Sequence, residues 1–205
     1  MNDLRHPLLA LVIIIGWIAA TALIPDVRLG IALVGIGGGV IAIVLERAFF
    51  RRMLTPSVKL LGIGLAAAAV MIVATYGLYP IVVHAIPGVE PSTRDLYVNK
   101  LRIPHPNAVV LFVTGLIVVG EEVLWRGVVQ EVVARRFRGL WAVPASALVY
   151  GLSHALIGSM LLTAVAIACG LFWSSIRLRT QSLLPALLAH LIWDMTILTH
   201  PLISR

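Results

Sequence analysis

Seven apolar runs, separated by short clusters of charge and proline, set the limits on what this chain can fold into. They lie near residues 7–24, 29–50, 58–86, 107–134, 140–157, 159–178 and 181–199, and each is close to the roughly 20 residues that an α-helix needs to cross a bilayer. What remains between them is too short for a soluble domain. The expected fold is therefore all-α, a polytopic transmembrane helix bundle of about seven spans with six as the fallback, and residues 1–205 form a single integral membrane domain. Composition agrees, because only 12% of the residues are charged and 60% are hydrophobic, against about 25% charged in an ordinary globular chain.

The net charge of +7 reads as a topological signal rather than a nucleic-acid footprint, since basic residues collect in the cytoplasmic loops of membrane proteins. Arg5, Arg47, Arg51, Arg52, Lys59, Arg135, Arg136, Arg138, Arg177 and Arg179 all fall at one end of the expected bundle, ten of the sixteen basic residues. Arg28, Arg94, Lys100, Arg102 and Arg205 fall at the other, and Arg126 lies inside a run. The expected location is the inner (plasma) membrane of a bacterium, with the N-terminus cytoplasmic and the C-terminus extracytoplasmic. Leu8 to Ile24, behind Arg5 and ending near Ala20-Thr21-Ala22, has the outline of a signal peptide. It exceeds the ~7–15-residue apolar region of one and reads as an uncleaved first span.

Three minor features follow. Cys169, the single cysteine, supports neither an internal disulfide nor a cysteine cluster and is expected as a small core residue. Gly35-Ile36-Gly37-Gly38-Gly39 lacks the Lys-Ser/Thr of a phosphate loop and sits mid-run, where small residues let helices approach closely. Pro87 to Asn107 is expected as an extracytoplasmic connection or a short interfacial segment over the bundle.

Function is carried by ionisable residues where lipid would exclude them. An Asp, Lys or Arg at the bilayer centre costs on the order of 2.5–3.5 kcal/mol on insertion scales, so such groups face a protein interior and have partners. Here Gly120-Glu121-Glu122-Val123-Leu124-Trp125-Arg126, Tyr150-Gly151-Leu152-Ser153-His154 and His190-Leu191-Ile192-Trp193-Asp194 lie in three separate runs. Residues four apart share a helix face while neighbours diverge by ~100°. Glu122 and Arg126 thus pair, whereas Glu121 points elsewhere and is expected to meet His154 or His190 from another helix. Asp194 is spaced to orient His190; His154 has no comparable partner in its own helix. The conjunction predicts one polar site. His84, His105 and His200 lie near run ends or in a connection and are given no role.

A carboxylate beside imidazoles in a dry cavity suits water activation and oxyanion stabilisation. The same groups suit a divalent ion, zinc above all, held by Glu121, His154 and His190, or a proton relay in a transporter. The residues alone leave all three open.

The pattern resembles the CPBP or Abi family of CAAX-processing and bacteriocin-processing intramembrane endopeptidases, whose Glu-Glu-x-x-x-Arg, Phe-x-x-x-His and His-x-x-x-Asn/Asp motifs are similar to Glu121-Glu122-x-x-x-Arg126, Tyr150-x-x-x-His154 and His190-x-x-x-Asp194. The motifs occupy residues 107–199. The resemblance implies a glutamate-dependent protease in which Glu121 and His154 activate water, His190 and Asp194 serve the oxyanion, and Glu122, Arg126 and Tyr150 support them. No cofactor is expected, and a divalent metal such as zinc on Glu121, His154 and His190 is the alternative. Two positions depart from the commoner pattern, Tyr150 for Phe and Asp194 for Asn, and an ionised Asp cannot donate a hydrogen bond to an oxyanion. The implied partners are the lipid bilayer and a membrane-anchored protein or peptide cut near its C-terminal anchor, with no nucleic acid. The alternatives are a prenyl-peptide endopeptidase opening to the cytoplasm, a proton- or ion-coupled membrane protein, and a binding protein with a vestigial site.

Depth adds a direction. At 1.5 Å per residue, Glu121 lies ~21 Å from the start of its run near Asn107, and His154, His190 and Asp194 lie ~21, ~14 and ~20 Å from the opposite boundary. The expected site is at mid-depth or slightly outward, opening to the extracytoplasmic side. A first turn near Pro104-His105-Pro106 that stands above the hydrocarbon raises Glu121 toward the midplane.

Overall fold

The computed structural model describes residues 5–102, 105–137 and 141–203, which are helical with no strand among them. Arg138, Arg205, Pro104 and Leu140, used above for charge bias and span limits, lie outside the described residues. The helices are α1 (Arg5–Leu23), α2 (Val27–Leu45), α3 (Arg47–Met53), α4 (Val58–Ala85), α5 (89–100), α6 (Ala108–Arg136), α7 (Ala142–Ser153), α8 (Met160–Thr180) and α9 (Leu184–Thr199). Four of them, α2, α4, α6 and α8, are long and apolar enough to cross a membrane, and three shorter apolar helices cover Pro7–Leu23, Ala142–Ile157 and Leu184–Thr199.

Side chains start these helices where the sequence turns polar. Asp26, Ser57, Asn107 and Ser159 each accept a hydrogen bond from a backbone N–H in the following first turn, satisfying a donor that the helix itself leaves open. One expectation changes and another becomes specific. The run at 29–50 is not one helix: it breaks at Glu46, whose backbone leaves the helical region (φ −118°, ψ 37°), and restarts as α3. The connection from Pro87 to Asn107 is largely helical, with Thr93, Leu96 and Tyr97 buried, so α5 packs inward on one face.

Lipid offers no hydrophobic drive between helices, and close contact of small residues takes its place. The glycine run on α2 supplies it. A Cβ added to Gly120 of α6 would stand 2.0 Å from the Gly35 carbonyl oxygen, and one on Gly39 would stand 2.9 Å from the Gly120 Cα. Backbone therefore meets backbone one residue before Glu121. At the same level α6 widens into π-helical turns over Glu122–Val129, and every side chain of that stretch is buried. A helix buried all round lies at the centre of its bundle, and π-turns recur where helices carry function.

At the far end, the turn between α8 and α9 is tied to α3: the Ser182 hydroxyl and the Leu183 N–H both donate to the Met53 carbonyl. Arg177, expected in a connecting loop, instead occupies the last turn of α8 and is 2% exposed. It donates to Glu131 Oε2 at 2.5 Å and to the Arg126 carbonyl at 3.2 Å, so it joins α8 to α6 rather than serving only as a surface charge.

Candidate active site

Glu121, Tyr150, His154, His190 and Asp194 all line one cavity of about 970 Å³ whose remaining wall is mostly apolar. The cavity occupies the end of the bundle where α2, α6 and α8 begin and α4, α7 and α9 finish. Its rim carries Asp26, Arg28 and Leu101, α5 covers it with Thr93, Leu96 and Tyr97, and its lining takes no residue from Gln130–Phe137. Glu122 and Arg126 do not line it. They stand behind its wall, each 1% exposed.

The two adjacent glutamates thus face different surroundings. Glu121 Oε2 accepts a hydrogen bond of 3.1 Å from the Tyr150 hydroxyl. The hydrogen-bond partner is thus a Tyr hydroxyl from the last turn of α7, while His190, one of the two expected histidines, stands near enough to act on the carboxylate through its charge. Glu122 Oε1 lies 3.2 Å from Arg126 Nη1 and 2.9 Å from His190 Nδ1. The Arg126 guanidinium is held between two rings, 4.0 Å from the Tyr150 centroid and 4.9 Å from that of Trp173, so π faces supply contacts that hydrogen bonds do not.

Both histidines are fixed through Nδ1. α7 ends at Ser153, and the His154 N–H reaches back only to Gly151, which leaves the Tyr150 carbonyl to the His154 ring: Nδ1 lies 2.8 Å from it. A carbonyl only accepts, so Nδ1 carries the proton and the neutral ring presents its lone pair at Nε2. The expectation that His154 lacks an orienting group within its helix is corrected by this backbone contact. On α9, His190 Nδ1 is held by Glu122, while Asp194 Oδ1 stands 3.7 Å from Nε2. Asp194 is thus beside the free edge of the ring, and Glu122 is its hydrogen-bonded anchor.

Aromatic neighbours outside the three motifs complete the site. Trp17 of α1, fully buried, lies 5.4 Å from His154 and from Trp125 by ring centroids. Trp173 stacks on His190 at 3.8 Å. Spacing within apolar runs carries no mark of either, since a tryptophan there is ordinarily core. Cys169, expected as a core residue, is partly buried against the core and also lines the cavity.

Among the described residues, no three His, Cys, Asp or Glu side chains are grouped so as to hold a metal ion. Glu121, His154 and His190 share the cavity wall without forming such a set.

The family model described as type II CAAX prenyl endopeptidase Rce1-like matches residues 103–196, which contain all three motifs and about half of the residues that line the cavity. The matched segment therefore resembles the CPBP family. The match supports a CAAX/CPBP-type intramembrane endopeptidase, and the apolar helices mark the chain as a membrane protein. α1 to α5, including Trp17, lie outside the matched segment. No curated protein and no solved structure matches the chain.

Proposed function

We propose that this chain is a CPBP-type endopeptidase that hydrolyses a peptide bond near the C-terminal membrane anchor of a substrate protein, with Glu121 as general base. The carrying observation is that Glu121 faces an apolar cavity together with Tyr150, His154, His190 and Asp194, whereas Glu122 is held in an ion pair behind the wall. Water between Glu121 and His154 Nε2 gives a proton to Glu121, and its oxygen bonds to the scissile carbonyl carbon. The displaced electron pair moves to the carbonyl oxygen, which accepts a hydrogen bond from His190 carrying a proton at Nε2 between Glu122 and Asp194. Collapse re-forms the carbonyl and breaks the C–N bond, and the amine leaves with the proton from Glu121. Asp194 acts here through His190, which removes the need for it to donate.

The seven apolar helices are read as seven crossings, residues 1–205 as one protease domain, and the basic end as cytoplasmic. Supporting this orientation, seven described basic residues flank the end remote from the cavity: Arg47, Arg51, Arg52, Lys59, Arg135, Arg136 and Arg179. The cavity then opens on the extracytoplasmic side of the plasma membrane, which suits removal of a sorting anchor made of an apolar helix and a basic tail. Purified protein in liposomes with such a reporter tests the proposal. Cleavage at the outer end of the anchor is expected, abolished by Glu121→Gln and unaffected by a chelator. Cleavage by Glu121→Gln at the wild-type rate refutes the base. Loss of activity on chelation with recovery on added zinc refutes the metal-free mechanism.

A further inference from the structure

We propose that Trp173 is a positioning residue that sets the ring plane of His190, and this rests on the proteolytic reading above. The Nδ1 contact with Glu122 fixes one atom of the imidazole, but a ring held at one atom still pivots about that bond. Trp173 removes the pivot. Its indole lies 3.8 Å from the imidazole centroid with the planes inclined by only 23°, so rotation drives one ring into the other. Nε2 is thereby kept at the edge that Asp194 and the cavity share.

Trp173 is itself immobilised from three sides. Its N–H donates to Met71 Sδ of α4 at 3.1 Å, and its ring packs edge-on against Trp193 at 6.0 Å and Tyr150 at 6.4 Å. The same indole covers the Arg126 guanidinium and also faces the cavity. It is therefore part of the wall that keeps Glu122 and Arg126 away from cavity water while the imidazole they hold reaches through to it. Trp173 belongs to α8, which carries none of the three motifs, so α8 contributes to the site through this ring.

Two variants separate orientation from bulk. Trp173→Phe keeps a flat ring on the imidazole; Trp173→Leu fills space without one. With the anchored reporter in liposomes, Trp173→Leu is expected to lower kcat by roughly three- to tenfold, the usual range for an aromatic pair, with KM changed by no more than about twofold. Trp173→Phe is expected to restore most of that loss. Equal kcat in Trp173→Leu and wild type, or an equal loss in both variants, overturns the proposal. A second measurement needs neither cleavage nor the Leu variant to fold. A stacked imidazole quenches indole emission, so His190→Gln raises tryptophan fluorescence in the wild-type background and leaves it unchanged in the Trp173→Phe background. The same rise in both backgrounds overturns the stack. Absence of any wild-type cleavage counts against the proteolytic reading, and the fluorescence comparison still decides whether Trp173 stacks on His190 as the proposal requires.

Discussion

Glu121 and Glu122 are adjacent in sequence and belong to opposite regions of the molecule. One faces an apolar cavity and is held by a neutral hydroxyl; the other is enclosed in a dry cluster with Arg126, His190 and Trp173. The ~100° between neighbouring side chains on a helix is enough to place one carboxylate on the cavity and the other behind its wall. Chemical type alone thus says little about role here, and the helix face decides.

The largest effect expected from this contrast is on turnover. Glu121→Gln keeps an oxygen to accept from Tyr150 and removes the base, so cleavage should fall by about 10²- to 10⁴-fold, the usual worth of a positioned base. Thermal unfolding in detergent should move little. A large drop in melting temperature, with turnover of the folded fraction intact, would exchange the roles of the two glutamates.

Next comes stability. Arg126→Ala leaves Glu122 buried with only His190 beside it, and breaking a buried pair from one side costs about 3–5 kcal/mol. Yield and melting temperature should both fall, and the double variant Glu122→Gln with Arg126→Met should recover much of the loss, because neither charge then remains. Failure of the double variant to recover would make the cluster more than a buried ion pair.

Much of this contrast was legible in the sequence, and the reason is energetic. Lipid makes Glu121, Glu122, Arg126, His154, His190 and Asp194 conspicuous, and four-residue spacing sorts them by face. Proline and charge bounded the helices to within a few residues. Partners across helices were not legible: the first turn of contacts for Glu121 is a Tyr hydroxyl, and His190 is anchored by Glu122 from 68 positions away. Arg177 sat close enough to a run end to read as a loop charge. Trp17 and Trp173 were hidden because aromatic residues are ordinary in apolar runs. α5 did carry a usable signal, as Val89, Thr93, Leu96 and Tyr97 recur at helical spacing and line the cavity.

A smaller effect sharpens the Glu121 side. Tyr150→Phe removes the hydroxyl donated to the carboxylate and keeps the ring under Arg126. Hydrogen bonds to charged groups contribute about 1.5–3 kcal/mol, so kcat should fall by up to one to two powers of ten where the bond orients Glu121 more tightly in the transition state than in the ground state. The melting temperature should change much less than in Arg126→Ala. An unchanged kcat would mean that substrate or water replaces the Tyr hydroxyl at Glu121 during turnover.

The smallest effect is expected where an ion pair of the same kind lies at the cavity rim in contact with water. Asp26 and Arg28 approach to 2.9 Å, with both side chains 41% exposed. The guanidinium hydrogen bond holds the Asp26 carboxyl at about 2, below its ordinary 3.8. Because the folded value is the lower one, the pair's contribution is present above about 4 and is lost as pH falls toward about 2. Asp26→Asn retains the side-chain oxygen that caps α2 and removes only the charge. Its melting temperature should therefore differ slightly from wild type at neutral pH, and the difference should close both in acid and in high salt, since water screens exposed pairs. The Glu122–Arg126 pair, sealed from water, should show no such salt dependence. A difference at Asp26 that survives both acid and salt would place that carboxylate in a screened environment like that of Glu122, and the contrast between rim and interior would fail.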